Sequence, residues 1–338
     1  MSVQAARLSF DHLLRLTSIF GLQEHSLLHD PRVEEGHCVD DVARALILLC
    51  REPELEATYK PLIDLYLGFI SSAVSGNGQS HNRMSADGEW TDEPSVGDWW
   101  GRAVWATGFA AIHAPEPAQR LSALDTFTRL SHAKSPYLHA RAFAVLGAGE
   151  LLLYSPDNEA AQLVVQQAEL GALRPVSTAW PWPEARMRYS NASIPEAIML
   201  AGRVTRDDGL FENGLAMFNF LLHTERSGSN FSVTPVGGRG VEPLDSVFDQ
   251  QPIELAAIAD AAARAYSLTD DPRYIVEIER AWNWFLGAND VGAEMFDPIT
   301  HGGYDGLHAD GPNLNQGAES TISMLSTNQM RRAMTTGK

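Results

Sequence analysis

The sequence predicts an all-α protein in which six helical hairpins close into an (α/α)6 toroid with little strand. Six apolar segments of helix length each begin in a polar stretch, and six amphipathic segments alternate with them. Long polar loops recur before the apolar segments. A buried inner ring wrapped by an amphipathic outer ring accounts for this pattern, so we expect one barrel domain over residues 1–338. The alternatives are two helical bundles or an open α-solenoid, which more often shows short, regular turns and a clearer repeat.

The first quarter of the chain supplies the first three helices. Leucines and Ile19 recur on one side of residues 5–20, which predicts an amphipathic helix. An apolar helix follows, beginning near residues 37–41 and ending at Cys50. A second amphipathic helix ends near Val74, before a long Gly- and Ser-rich loop.

Polar or proline-containing segments open the next two apolar helices. Residues 97–102 open one that runs to about His113, and residues 136–141 open one that runs to about Leu153. Their amphipathic partners are expected at 116–131 and 156–171.

The second half repeats the alternation. An apolar helix is expected from 194 or 195 to about 204, followed by an amphipathic one over 208–223. The polar stretch 248–254 then leads into an apolar, alanine-rich helix, and 272–286 forms its partner. The last helix is expected to start at 316–319, with a loose tail from Asn328.

Composition and charge limit the possible functions. With 338 residues, 44% apolar and 20% charged, the chain can bury a sizeable core. The formal charge of −18 disfavours nucleic acid and anionic membranes as partners. No apolar run approaches the ~18–20 residues of a membrane span, and the N-terminus lacks a secretory pattern. We therefore expect a cytoplasmic protein with no nucleic-acid or membrane partner.

The two cysteines are consistent with a reducing compartment. If Cys38 and Cys50 share one helix, they lie about 18 Å apart at ~1.5 Å per residue, beyond disulfide reach. We expect both to be buried thiols.

Polar side chains collect at the predicted starts of the apolar helices. Parallel inner helices would place these starts on one face, where helix N-termini stabilise carboxylates. Carboxylates and amides bind sugar hydroxyls, aromatic rings stack on sugars, and paired carboxyl groups cleave glycosidic bonds. The residues expected at this face are Asp40, Asp41, Asp98, Trp99, Trp100, Arg102, Trp180, Trp182, Glu184, Arg186, Tyr189, Asn191, Asp245, Asp249, Gln250, Glu254, Tyr304, Asp305, Asn313, Asn315 and Glu319.

Four carboxylates are the catalytic candidates. Glu184 and Asp98 are the leading acid and base, with Asp249 and Asp305 as substitutes. Glu184 follows a Trp-Pro-Trp-Pro segment, so a sugar stacked on those rings would lie near a carboxylate. An inverting mechanism is favoured, because a broad toroid mouth leaves the ~6.5–9.5 Å gap that the attacking water needs.

A larger set of polar and aromatic residues is expected to bind the substrate. Trp180 and Trp182 flank prolines in a loop, where display of two large rings suggests a binding role. Some members also fit structural roles, since Asp40 or Asp41 could cap a helix and Trp99 or Trp100 could be core. The set is Asp40, Asp41, Trp99, Trp100, Arg102, Trp180, Trp182, Tyr189, Asn191, Gln250, Gln251, Glu254, Tyr304, Asn315 and Glu319.

Other chemistries find little support in the sequence. No phosphate-binding loop, paired-cysteine motif or EF-hand spacing occurs, so we expect no cofactor and no metal. His139 could act as a base at the start of an apolar helix, although a structural histidine with satisfied hydrogen bonds is the favoured interpretation. Trp105, Trp282 and Trp284 occur at helical spacing and are expected in the core.

The motifs resemble those of the six-hairpin glycosidase superfamily, in particular the glycosidase-like helical domains associated with retaining glycosyltransferases. The likeness covers nearly the whole chain. It implies an (α/α)6 barrel, a sugar-active function and a possible glycosyltransferase partner. The stretches that carry it are 97–106 (GDWWGRAVWA), 180–184 (WPWPE), 189–197 (YSNASIPEA), 248–254 (FDQQPIE), 304–307 (YDGL) and 313–321 (NLNQGAEST).

These features favour a glycoside hydrolase, or a phosphorylase using the same site, acting on an oligosaccharide. A sugar epimerase or isomerase is the first alternative, and it needs a proton-abstracting pair, usually histidines. A non-catalytic carbohydrate-binding partner of a glycosyltransferase is the second. A polysaccharide lyase is weaker, because the expected mouth is acidic rather than basic.

Overall fold

A computed structural model describes residues 8–242, 244 and 246–336. Within those residues, twelve α-helices account for most of the regular structure, as the sequence predicts. Six of them form an inner ring in which each helix contacts the next and the last contacts the first. In chain order the inner helices are α2 (Val39–Arg51), α4 (Asp98–His113), α6 (Leu138–Tyr154), α8 (Ser193–Thr205), α10 (Pro252–Thr269) and α12 (Ala318–Thr336).

The other six helices pack outside the ring. Each of α3, α5, α7, α9 and α11 packs against the inner helix that precedes it, while α1 packs against α12. The (α/α)6 toroid is therefore closed by a hairpin made from the two ends of the chain. The outer helices are α1 (Asp11–Leu16), α3 (Lys60–Ala73), α5 (Pro117–Leu130), α7 (Glu159–Ala168), α9 (Asp208–Thr224) and α11 (Arg273–Phe285).

Local sequence fixes several helix starts. α5 begins with a capping box between Glu116 and Gln119, and Pro117 occupies its first turn. The Asn158 side chain caps α7, and the Asp207 side chain caps α9. Inner helices such as α6 are buried on almost every face, whereas outer helices bury one side only.

The first and last helices differ from the prediction. α1 spans Asp11–Leu16 rather than 5–20, of which residues 5–7 lie outside the described part. The chain leaves the helix at Thr17 and turns, with the Ser18 N–H donating to the Gly21 carbonyl, so Ile19 is 83% exposed.

The tail from Asn328 is also not loose, because α12 continues to Thr336. Gln329 is buried, and its amide donates to the Leu48 carbonyl and to Glu52, at 3.2 and 3.1 Å. These contacts hold the end of α12 against α2.

Short antiparallel strand pairs connect the loops near one end of the ring. All the pairs in the described residues are two-stranded. They are β1 (Ser26–Leu27) with β2 (Asp30–Pro31), β3 (His37–Cys38) with β4 (Arg83–Met84), β5 (Arg186–Met187) with β8 (Arg239–Gly240), β6 (Arg226–Ser227) with β7 (Asn230–Phe231), and β9 (Gly306–His308) with β10 (Gly311–Asn313).

The core contains the residues that the helical pattern placed there. Trp105, Trp282 and Trp284 are buried, which confirms the prediction. Cys38 and Cys50 are also buried, and both are free thiols. None of the described helices combines the length and apolarity needed to cross a membrane.

Candidate functional site

A deep cleft opens where the N-terminal ends of the inner helices meet. It has two adjoining lobes, a first of about 1010 Å³ and a second of about 510 Å³. Both lobes are lined by Asp98, Trp99, Tyr189 and Gln251, so these four residues mark their junction. The expected gathering of inner-helix starts on one face is therefore present.

Asp98 is the first residue of α4 and lies at the junction. The Tyr189 hydroxyl donates a hydrogen bond to the Asp98 carboxylate. The neighbouring Trp99 is oriented by its indole N–H, which donates to the Ser80 carbonyl at 2.9 Å. Asp98 is thus a held carboxylate that can be reached from both lobes.

His139, the second residue of α6, lies beside this carboxylate. Its ring stacks on Tyr189, with ring centroids 5.0 Å apart and planes 15° apart. It is buried and lines the first lobe, and its Nε2 has no hydrogen-bond partner among the described residues. Burial lowers the pKa of His139, while Asp98 and Glu184 act in the opposite direction. A neutral imidazole with a free nitrogen can accept a proton, so the expectation of satisfied hydrogen bonds is not met at Nε2, and the structural role stays a prediction.

Glu184 reaches the first lobe from the loop before α8. Its carbonyl accepts a hydrogen bond from the Trp180 indole N–H at 2.9 Å, which fixes the backbone. Its Oε2 is buried without a hydrogen-bond partner in the described part of the chain. The first lobe therefore holds a carboxyl group with an unused oxygen near His139.

Glu254, in the first turn of α10, organises the loop that carries Tyr189. Its carboxyl group accepts hydrogen bonds from the Ser190 N–H, the Asn191 N–H at 3.2 Å and the Asn191 amide at 3.0 Å. Burial and the nearby Glu225 raise the pKa of Glu254 to about 8, against the effect of these donors. With both oxygens engaged, Glu254 is suited to positioning Tyr189.

Acidic groups dominate the second lobe. Arg44 binds Asp41 and Glu319 through one nitrogen, at 3.0 and 2.7 Å. Burial raises the pKa of Asp40 to about 6, although Arg44 and Arg102 oppose the shift. Asp40 can therefore carry or release a proton near neutral pH.

Asp305 and Glu24 complete the wall of the second lobe. The Gly317 N–H donates to Asp305 Oδ1 at 2.7 Å, and burial raises the pKa of Asp305. Glu24 is paired with Arg83. Asp305 is thus held by the loop before α12, and Glu24, in the loop after α1, is held by Arg83.

One group in this lobe has the composition of a metal site. Ligand atoms of Glu24, Cys38 and Asp41 lie within 4.8 Å of one another. Glu24 and Asp41 are already paired with arginines, and the Cys38 thiol donates to Asp41 at 3.2 Å. Burial also holds the pKa of Cys38 well above its usual range, which disfavours the thiolate that a metal requires. We assign no metal to this group.

The predicted site residues divide into two groups. Those that line the cleft are Glu184, Asp98, Asp305, Asp40, Asp41, Trp99, Tyr189, Gln251, Glu254 and Glu319, together with Arg186. Those that line neither lobe are Asp249, Trp100, Arg102, Trp180, Trp182, Asn191, Gln250, Tyr304 and Asn315, together with Asn313. Asp245 lies outside the described residues.

The display of Trp180 and Trp182 on the loop surface was predicted wrongly. Their exposed fractions are 5% and 0%. The loop folds back on itself, since the Val176 N–H donates to the Trp182 carbonyl, and the Trp180 ring packs edge-on against Phe220. Burying two large rings is more favourable than exposing them. The buried rings therefore anchor the proline-rich loop that carries Glu184.

Three further residues that were expected to bind the substrate instead contact other parts of the protein. Gln250 is buried, and its amide donates to Asp290 at 2.6 Å. The Trp100 indole N–H donates to the Gly78 carbonyl at 3.0 Å. The Arg102 guanidinium lies 4.0 Å above the Phe143 ring.

The remaining predicted residues lie beside the cleft rather than in its wall. Asn191 is buried against Glu254. Asn315 accepts a hydrogen bond from the Leu28 N–H, and Tyr304 packs against the core. Asp249 is 3.9 Å from His308.

Several residues that line the cleft were not predicted from the sequence. Tyr137, Arg141 and Arg188 line the first lobe, and Arg44 and His25 line the second. A signal existed for the first two, which belong to the polar segment 136–141 that opens α6. Arg44 could have been found one turn after Asp40 and Asp41. His25 and Arg188 depend on how the loops fold.

Comparison with known proteins identifies the fold. No protein-family model and no curated protein sequence matches the chain. A sugar epimerase from a ruminal bacterium matches with a TM-score of 0.71 and 13% identity, over 96% of this chain and 95% of that one. Cellobiose 2-epimerase from Bacillus thermoamylovorans matches with a TM-score of 0.71 and 10% identity, over 96% of each chain. A GH76 α-mannanase from Bacteroides thetaiotaomicron matches with a TM-score of 0.62 and 10% identity, over 89% of this chain and 87% of that one.

These likenesses confirm the six-hairpin (α/α)6 fold that the sequence motifs implied. At 10–13% identity they show the fold alone. The association with glycosyltransferases stays a prediction.

Proposed function

We propose that this protein is a carbohydrate-active enzyme that cleaves a glycosidic bond in an oligosaccharide, with Asp98 and Glu184 as its catalytic carboxyl pair. The observation that carries the proposal is the presence of Asp98 and Glu184 in the wall of one cleft lobe of about 1010 Å³. Proteins of similar fold include a mannanase and two sugar epimerases, which supports a saccharide as the substrate.

The two carboxyl groups fit different roles. Asp98 accepts a hydrogen bond from the Tyr189 hydroxyl and lies at the junction of the lobes, which suits a base that activates water. Glu184 has an unused buried oxygen, which suits an acid that protonates the glycosidic oxygen as the bond breaks. Trp99 at the junction offers a ring face for the sugar between them.

The test uses three matched amide substitutions. Asp98→Asn and Glu184→Gln should each lower kcat on a cleaved oligosaccharide by at least about 10³-fold while leaving the melting temperature close to that of the wild type. Asp249→Asn is the control, because Asp249 lies outside the cleft wall. Near-full activity in both cleft variants, or loss only in Asp249→Asn, would refute the assignment.

One screen would identify both the substrate and the stereochemical outcome of cleavage. A glycan panel, with and without phosphate, should be read by mass spectrometry for products. Proton NMR of the first-formed sugar then gives its anomeric form, and we expect inversion. Retention would show that the water gap assumed for the carboxyl pair is absent.

His139 supports a second candidate, a sugar epimerase or isomerase. Its Nε2 is free in the first lobe and could remove a proton from a carbon next to a carbonyl group. The only other histidine that lines either lobe, among the described residues, is His25 in the second lobe. A facing histidine pair is therefore not part of the observed wall, which ranks this candidate second.

Deuterated water separates the two candidates. Under the hydrolase proposal, free sugars incubated with the protein should gain no deuterium at C2, and His139→Gln should retain bond cleavage. Incorporation at C2 that is lost in His139→Gln would favour the epimerase. Glycan binding without turnover across the panel would favour a binding partner of a glycosyltransferase.

A further inference from the structure

The two lobes of the cleft differ in the balance of their charged side chains. The first lobe contains three arginines, Arg141, Arg186 and Arg188, which match in number its three carboxyl groups. The second contains one, Arg44, among six carboxyl groups that include Asp40 and Asp305.

Two arginines of the first lobe are held by neutral groups. Arg186 donates to the carbonyls of Gly237 and Gly238, at 3.1 and 2.8 Å, and Arg141 donates to the Ala168 carbonyl at 3.0 Å. None of the three forms an ion pair with another described residue. Arg44 in the second lobe is instead bound by Asp41 and Glu319. The guanidinium groups of Arg186 and Arg141 are thus oriented by uncharged acceptors.

An aromatic ring accompanies these positive charges. Tyr137 is 59% exposed and lines the first lobe just before α6. An exposed ring in a cavity wall offers a stacking face for a sugar. The wall therefore combines a flat apolar surface with guanidinium groups.

We infer that the first lobe binds an oxyanion next to a sugar ring. Guanidinium groups bind carboxylates and phosphates in two-point geometry. The oxyanion is either part of the saccharide, as a uronate or phosphate ester, or inorganic phosphate that serves as co-substrate. This inference rests on the proposed function, whose substrate it narrows to acidic saccharides or to phosphorolysis.

Phosphorolysis has a defined course in this cleft. A phosphate oxygen would form the new bond to the anomeric carbon as the bond from that carbon to the glycosidic oxygen breaks. The departing oxygen would take the proton of the catalytic acid, which gives a sugar 1-phosphate and a shortened saccharide. No electrons are exchanged with a further reagent.

Direct binding measurements test the inference, and turnover is measured only in the presence of phosphate. Calorimetry at constant ionic strength should compare methyl glucuronide with methyl glucoside, glucose 6-phosphate with glucose, and inorganic phosphate alone. We expect each matched oxyanion sugar to bind at least about 10-fold more tightly than its neutral counterpart, or phosphate alone to bind and then raise turnover with release of a sugar 1-phosphate. The first outcome places the oxyanion on the saccharide, and the second places it on phosphate.

Arginine variants show whether the first lobe is responsible. Arg188→Gln and Arg186→Gln should remove the preference for the oxyanion. Arg174→Gln is the matched control, since Arg174 is exposed, binds the carbonyls of Gly171 and Leu173, and does not line the cleft. An equal loss in the control would reduce the effect to general surface charge and overturn the inference.

Failure of the inference differs from failure of the proposed function. Equal binding of neutral and anionic probes with no response to phosphate overturns the inference, while cleavage of a neutral oligosaccharide would leave the hydrolase standing. Suppose that the wild type prefers oxyanion probes, that Arg188→Gln loses this preference, and that no substrate is cleaved. The binding site would then be supported and the proposed cleavage activity would be refuted.

Discussion

Tyr189 connects three groups at the centre of the cleft. Its hydroxyl donates to Asp98, its ring stacks on His139, and the next two residues are held by Glu254. The turn that presents it includes Ser190 at a positive φ of 45°. One side chain therefore sets the relation between a carboxylate and an imidazole that come from different helices.

We expect Tyr189→Phe to lower kcat by about 10–100-fold with little change in KM. The substitution removes the hydrogen bond to Asp98 but retains the ring that stacks on His139. Tyr154→Phe is the control, because Tyr154 is exposed at the end of α6. Steady-state kinetics measure the effect, and an unchanged kcat in Tyr189→Phe would mean that the hydroxyl does not act on the reaction.

The residues of the cleft wall could be predicted where they follow helix starts. The prediction failed where their position depends on how a loop folds. Asp98 and Glu254 were found because polar groups collect at the mouths of buried helices. Trp180 and Trp182 were misplaced, because proline and tryptophan in a loop give no indication of which side the rings turn to. Burial decided that question, and only the packing against Phe220 reveals it.

At the scale of elements, α4 and α6 approach each other so closely that their backbones touch. A Cβ on Gly108 would lie 2.4 Å from the Gly147 carbonyl oxygen, and a Cβ on Gly147 would lie 2.3 Å from the Val104 carbonyl oxygen. Glycine is required here for close approach of two helices rather than for backbone freedom. This contact sets the spacing of Asp98 and His139, which begin the two helices.

Gly147→Ala should therefore destabilise the protein by roughly 1–3 kcal/mol or more, since the clash is with backbone. Gly68→Ala is the matched control, because Gly68 lies in α3 with nothing within 4 Å of its added Cβ. That control should be neutral or stabilising by up to about 1 kcal/mol. Chemical denaturation gives both values, and equal effects would show that α4 and α6 can separate without cost.

Helix periodicity predicted the number and order of the helices, but not every boundary. The alternation of apolar and amphipathic segments is a property of each helix by itself. The ends of α1 and α12 depend on distant partners, such as the contact of Gln329 with Glu52, which no local pattern records.

For the whole molecule, buried carboxyl groups make stability depend on pH. Burial raises the pKa of Glu225 to about 7, and burial together with Glu225 raises that of Glu254 to about 8. The folded state keeps these protons at pH values where the unfolded chain, with glutamate near 4.5, has released them. Stability is therefore lost as pH rises from about 5 to 8.

Glu225→Gln should weaken this dependence. The wild type is expected to lose roughly 3 kcal/mol more than the variant between pH 5 and 8, because the variant has no carboxyl group to ionise. Glu34→Gln is the control, since Glu34 is exposed on the surface. Urea denaturation at several pH values measures the slopes, and parallel curves for wild type and Glu225→Gln would contradict the expectation.

The hairpin of α1 and α12 gives the ring a late step in its assembly. His12 donates to the Gln316 carbonyl at 2.8 Å, and the Ser9 N–H donates to His301 at 3.1 Å, contacts that span 304 and 292 residues. The other five hairpins are local and can form as soon as their own residues are available. Contacts of such long sequence separation carry a large loop-closure cost and slow folding. On a ribosome α1 would wait for α12 to emerge, and the ring that carries the cleft would be closed only then.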